Sequence, residues 1–92
     1  MRLVKQFEVS GYYFQASYRQ GATKIDLYFN NNKNNQPFDT INIYNHATGV
    51  TDPVYTVGDL EDIVLDWMDS FGSGFELEHF LQTCWSEQQQ YG

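Results

Sequence analysis

The sequence predicts an α+β fold: a four-stranded antiparallel sheet over residues 3–45, with a two-helix hairpin, residues 57–71 and 74–88, packed on one face. Three observations predict it. Through the first half, apolar and polar residues alternate with the period of half-buried strands. Through the second half, apolar residues recur at helical spacing. One sheet face and two helical stripes are then left apolar, and the simplest burial sets one against the other.

The first strand is the least regular. Leu3, Phe7 and Val9 share a face that Lys5 interrupts. In the second, Tyr12, Phe14, Ala16 and Tyr18 alternate with Tyr13, Gln15, Ser17 and Arg19. In the third, Ile25, Leu27 and Phe29 alternate with Lys24, Asp26, Tyr28 and Asn30. In the fourth, Ile41 and Ile43 alternate with Thr40, Asn42 and Tyr44. Ser10-Gly11 and Gln20-Gly21-Ala22-Thr23 supply the turns, because glycine accepts a positive φ. Residues 30–37, rich in asparagine, form a polar loop, and residues 46–55 connect sheet to helices.

The first helix carries Leu60, Ile63, Val64, Trp67, Met68 and Phe71 on one stripe. Thr56 with Asp59 forms its capping box, and Gly72 stops it. Ser73 caps the second helix, whose stripe is Leu77, Phe80, Leu81, Cys84 and Trp85. The core is expected where Phe14, Ile25, Leu27, Phe29, Ile41 and Ile43 meet Leu60, Ile63, Val64, Trp67, Leu77, Phe80 and Leu81.

Ninety-two residues suit one domain, 1–92, with a small core. Aromatic residues make up 17% and charged residues 18%, a balance that argues against intrinsic disorder. No run of eighteen apolar residues appears, so no membrane span is expected. The first residues are broken by charge too early for a signal-peptide core, and Cys84 is the single cysteine. The chain reads as a cytoplasmic protein held by packing rather than disulfides.

Charge divides the chain. Residues 1–46 hold all five cations and three acids, and residues 47–92 hold nine acids with no Lys or Arg. Asp59, Asp62, Asp66 and Asp69 recur at spacings of three, four and three. At about 100° per residue they fall in a sector of roughly 80° beside the apolar stripe. Asp66 and Asp69 stand where the helix dipole disfavours anions, and Asp62 and Asp66 repel across one turn. Selection for helix stability alone would place Lys or Arg there. The plain reading is a solvated face that keeps the protein soluble. The functional reading is docking against a basic surface, with carboxylates standing where phosphates would sit. Glu76 on the second helix extends the acidic set.

A second candidate surface lies on the polar sheet face. Tyr13, Tyr28 and Tyr44 are expected there with Arg19, Lys24, Asn30 and Asn42, a composition typical of interfaces. Base stacking on such tyrosines is conceivable chemistry, but five cations against twelve acids repel phosphate, and direct nucleic-acid binding is not expected.

Chemistry finds little footing. The carboxylates are expected exposed, with nothing to separate their pKa values for acid–base catalysis. His46, His79 and Cys84 do not match zinc-ligand spacings. Cys84 falls on the apolar stripe as a small core residue. Neither a phosphate-cradling glycine loop nor a Gly-x-Ser-x-Gly elbow occurs. No enzyme, cofactor or metal is therefore expected.

In size, net charge of −7 and the Asp59/Asp62/Asp66/Asp69 row, the chain resembles the small inhibitors that bacteriophages and mobile elements direct against host defence. Among these it is similar in kind to the anti-CRISPR proteins, particularly those acting on multi-subunit surveillance complexes. These proteins share no sequence signature, so the likeness assigns no residues. It implies stoichiometric binding to a nucleoprotein effector in a bacterial host, blocking target DNA recognition or nuclease recruitment. The rival expectation is a structural or adaptor domain that binds protein, or a second copy of itself as a homodimer, through the aromatic sheet face.

Overall fold

Ser10 and Gly11 reverse the chain with both residues in the left-handed region, at φ 51° and 84°. Two such angles make a type I′ turn, whose twist matches the strands it joins. The computed structural model describes residues 1–31 and 35–90. It opens with the hairpin that this turn closes, β1 (Arg2–Val9) and β2 (Tyr12–Arg19), in register from Arg2↔Arg19 to Val9↔Tyr12. β3 (Lys24–Phe29) lies antiparallel to β2, and β4 (Asp39–Asn42) antiparallel to β3. The order is β1-β2-β3-β4, with β1 and β4 at the edges. Lys33, the last cation of the chain, lies outside the described residues.

The fourth strand is shorter than its alternation suggests. It ends at Asn42, whose Oδ1 accepts the Tyr44 N–H at 3.0 Å. Ile43, 3% exposed, bridges two parts of the fold. Its N–H donates to Thr23 at 3.0 Å, and its carbonyl accepts from Asp52 at 2.9 Å. The chain then forms β5 (Tyr44–Asn45), where the fourth strand was expected to end, and β6 (Val50–Thr51), inside the segment expected only to connect; the two make a separate two-stranded ribbon. The side chain of Asn45 shapes the turn between them by accepting the Ala47 N–H at 2.9 Å.

The helices follow. In α1 (Val57–Asp69), Thr56 and Asp59 cap the first turn reciprocally. The helix ends two residues short of the expected 71, on a Ser70 cap followed by Gly72 at φ 84°. Ser73 Oγ accepts the Glu76 N–H at 3.2 Å and starts α2 (Gly74–Gln90), which runs two residues beyond the expected 88.

Both helices cover one face of the sheet. Phe14, Ile25 and Leu27 from the strands and Leu60, Val64 and Leu81 from the helices form the fully enclosed centre. α1 lies against β1 and β2, where Trp67 meets Phe14 edge-on at 6.4 Å. α2 reaches β3, where Trp85 meets Phe29 edge-on at 5.2 Å. Phe80 joins the helices, 6.0 Å from Trp67 and 5.1 Å from Phe71. Four residues expected in the core, Ile41, Ile63, Trp67 and Phe80, are only partly covered and pack around it. Two helices on so small a sheet leave their flanks open. Among the described residues, no helix is long and apolar enough to cross a membrane.

Candidate functional site

Asp62, Asp66 and Asp69 project from α1 into solvent, away from Leu60 and Val64 on its buried side. Among the described residues, none of the three carboxylates takes a hydrogen bond or an ion pair. No cation occupies the last turn of the helix. The macrodipole therefore leaves Asp66 and Asp69 uncompensated, and among the described residues no ion pair offsets their charge.

Asp59 stands apart from its row. Its Oδ2 accepts the Tyr55 N–H at 3.0 Å and the Thr56 N–H at 3.1 Å. The Tyr55 bond chiefly, with help from Thr56 and against a contribution from burial, holds this carboxyl below its ordinary value of 3.8. Asp59 is thus engaged in starting the helix, and the free acidic face is Asp62, Asp66 and Asp69. Glu76 is exposed in the first turn of α2, beside Gly72 and just beyond the end of α1. It adds to the acidic face at the helix junction.

The tyrosines divide. Tyr13, 58% exposed, and the partly covered Tyr28 lie on the sheet face that the helices leave bare. Register sets Tyr13 opposite Glu8 and Tyr28 opposite Gln15. Tyr44, expected with them, belongs to the β5–β6 ribbon and meets His46 edge-on at 4.8 Å. The early end of β4 is what removes it from the face. The bare face holds a shallow groove of about 430 Å³, lined in part by Arg2, Gln6, Gln15, Ser17, Tyr28 and Asn30. Its floor is braced by a Gln6–Gln15 hydrogen bond of 2.7 Å. Because the helices occupy the opposite face, the acidic row and the tyrosine groove lie on opposite sides of the molecule. They are two surfaces, not one site.

Other features were not read from the sequence. A cleft of about 210 Å³ opens between Tyr12, Tyr13, Phe29 and Trp85. That is below the 300–1,000 Å³ usual for small-molecule pockets. Leu65, Val57 and Phe75 are 45%, 41% and 78% exposed. Leu65 could have been found, because it lies off the apolar stripe of its helix. Phe75 is at the opposite side of α2 from Leu77 and Leu81 by the same spacing argument.

Cys84 is enclosed, and its thiol is pushed up to about 11 by burial first, then by the charges of Asp39 and Glu87. At physiological pH it is a neutral thiol, a poor nucleophile and a poor metal ligand. His46 and His79 are exposed, and among the described residues no three His, Cys, Asp or Glu side chains gather as a metal set would. When the chain is compared with protein-family models, curated proteins and solved structures, none matches it.

Proposed function

We propose that this protein is a stoichiometric inhibitor that sets the acidic face of α1 against a basic, nucleic-acid-binding surface of a host defence complex. In this reading it acts in the manner of anti-CRISPR proteins, within a bacterial cytoplasm, and blocks target DNA recognition by occupying the surface and opposing its charge. One observation carries the proposal: Asp62, Asp66 and Asp69 are exposed and unpartnered among the described residues, on a helix without a single cation. Such a helix is less stable than it could be, and a bound cationic surface would supply the missing compensation.

The test uses a purified multi-subunit CRISPR surveillance complex and its target duplex. The protein should block duplex binding at low salt, and block it much less at roughly 0.5 M salt, where surface charge pairs are screened. The double variant Asp62→Lys/Asp66→Lys should lose inhibition by at least about tenfold, equivalent to about 1.4 kcal/mol, while melting at the wild-type temperature or above. Unchanged inhibition by that variant would refute the acidic-face reading.

A second reading has its own observation. The sheet face bearing Tyr13 and Tyr28 is uncovered and grooved. An adaptor using it would bind protein in a salt-resistant way, and Tyr13→Ala would weaken that binding while Asp62→Lys/Asp66→Lys would not.

A further inference from the structure

We propose that a second copy of this chain pairs with the free edge of β1, joining two sheets into one across a two-fold axis at Lys5. The inference rests on that edge and is independent of what the acidic face binds.

The backbone direction comes first. A two-residue turn closes on a pair that exchanges both N–H···O bonds, and the pairs then alternate. Val9↔Tyr12 closes this hairpin, so Val9, Phe7, Lys5 and Leu3 aim their backbone groups at β2. Gln20 N–H donates to the Met1 carbonyl at 3.1 Å, which continues the same odd-numbered set. Arg2, Val4, Gln6 and Glu8 therefore aim theirs outward, from the edge of the sheet. An eight-residue edge whose outward polar groups take no partner among the described residues is a template for another strand.

The side chains then select the partner. An antiparallel copy centred on Lys5 sets Arg2 against Glu8 of the partner subunit and Val4 against Gln6 of the partner subunit. Both are outward-aimed pairs, so the backbone bonds and the charges call for the same register. The opposite charges meet twice, once on each side of the axis. On the inner face Leu3 faces Phe7 of the partner subunit. Shifting the register by two residues shortens the ladder and separates Arg2 from its acid. Lys5 would meet its own copy at the axis, an arrangement that blunts an edge when the charge is free. Here each Lys5 Nζ already lies 3.2 Å from Glu61 Oε2 on α1.

That ion pair also identifies the flank of α1 on the edge side. At about 100° per residue, Val57, Glu61, Leu65 and Met68 share a sector of roughly 80°. The acidic row occupies the next one, farther from the edge. Val57 and Leu65 are 41% and 45% exposed, and Val4 on the edge strand itself is 41% exposed. Exposed apolar residues thus gather along one lateral side, above and below the free strand edge, where a copy would cover them.

The decisive experiment is sedimentation equilibrium of the full chain over an about hundredfold dilution series, at low salt and at roughly 0.5 M salt. A monomer–dimer equilibrium is expected. Val4→Pro removes an outward N–H and no ladder bond, a change tolerated at an edge. It should raise the dissociation constant at least about tenfold. Arg2→Glu should also weaken association, and Arg2→Glu/Glu8→Arg should regain part of the loss by exchanging the charges. The charge swap decides alone if Val4→Pro misfolds. A monomer at every concentration overturns the proposal. So does a dimer that neither Arg2→Glu nor Val4→Pro weakens, which would place the contact on the bare sheet face.

Discussion

Asp59 and Asp62 stand three residues apart on one helix, yet among the described residues only the Asp62 carboxylate is without a partner. Asp59 accepts two backbone N–H groups, and Thr56 Oγ1 accepts the Asp59 N–H at 3.1 Å in return. Thr56→Ala should cost about 1 kcal/mol of stability, measurable by urea denaturation. The Asp59 carboxyl is lowered from 3.8 in the folded state, so its stabilisation is full above that value and is lost as pH falls through the folded value. Wild type should therefore outlast Asp59→Asn in thermal melts at pH 7, and the two should converge in acid below the ordinary carboxylate range. At Cys84 the sign is reversed, because burial raises the thiol to about 11. A disulfide exchange reagent at pH 8 should leave the folded protein unmodified and label it at once in denaturant. The capping role of Asp59 was legible as a motif. That the same role removes it from the acidic row was not, because the two readings call on the same side chain and periodicity cannot rank them.

Whole elements were legible where their period is long. The eight residues of Tyr12–Arg19 alternate cleanly and form β2, and the stripe from Leu60 to Phe71 repeats over three turns, of which α1 holds all but Phe71, just past its cap. β5 and β6 are two residues each, too short to show any period of their own; the segment of β6 reads as a connection, and β5 reads as the end of the fourth strand. The end of β4 was hidden for another reason. Alternation continues through Ile43 and Tyr44, but the backbone of Ile43 bonds to Thr23 and Asp52. Tertiary hydrogen bonds ended a strand that pattern alone would extend. Burial magnitudes follow the same division. Phe14 is wholly enclosed, so Phe14→Ala should cost about 3–5 kcal/mol. Trp67, which periodicity places as deeply, is partly covered, and its replacement by Ala should cost less than that of Phe14 in the same denaturation series.

At the scale of the molecule, charge and layering act together. The helix layer presents Asp62, Asp66 and Asp69 to one side, and the sheet presents Arg2, Arg19 and Lys24 nearer the other. The acidic row was readable from spacing alone. The separation of its surface from the tyrosines became evident only when the helices were placed on one sheet face. With a net charge of −7, repulsion within the fold is largest in dilute buffer. Melting temperature should rise between about 10 mM and 150 mM salt as the Debye length shortens from about 30 Å to 8 Å, a trend that scanning calorimetry would show. The two tryptophans of the chain have a further use that follows from the aromatic contacts. Trp67 reports on α1 against Phe14, and Trp85 reports on α2 against Phe29. Each helix therefore carries an intrinsic fluorophore seated on a different strand. In Trp85→Phe and Trp67→Phe variants, emission would follow one helix at a time, so coincident or staggered traces would reveal whether the helical layer lifts from the sheet as one body or in two steps.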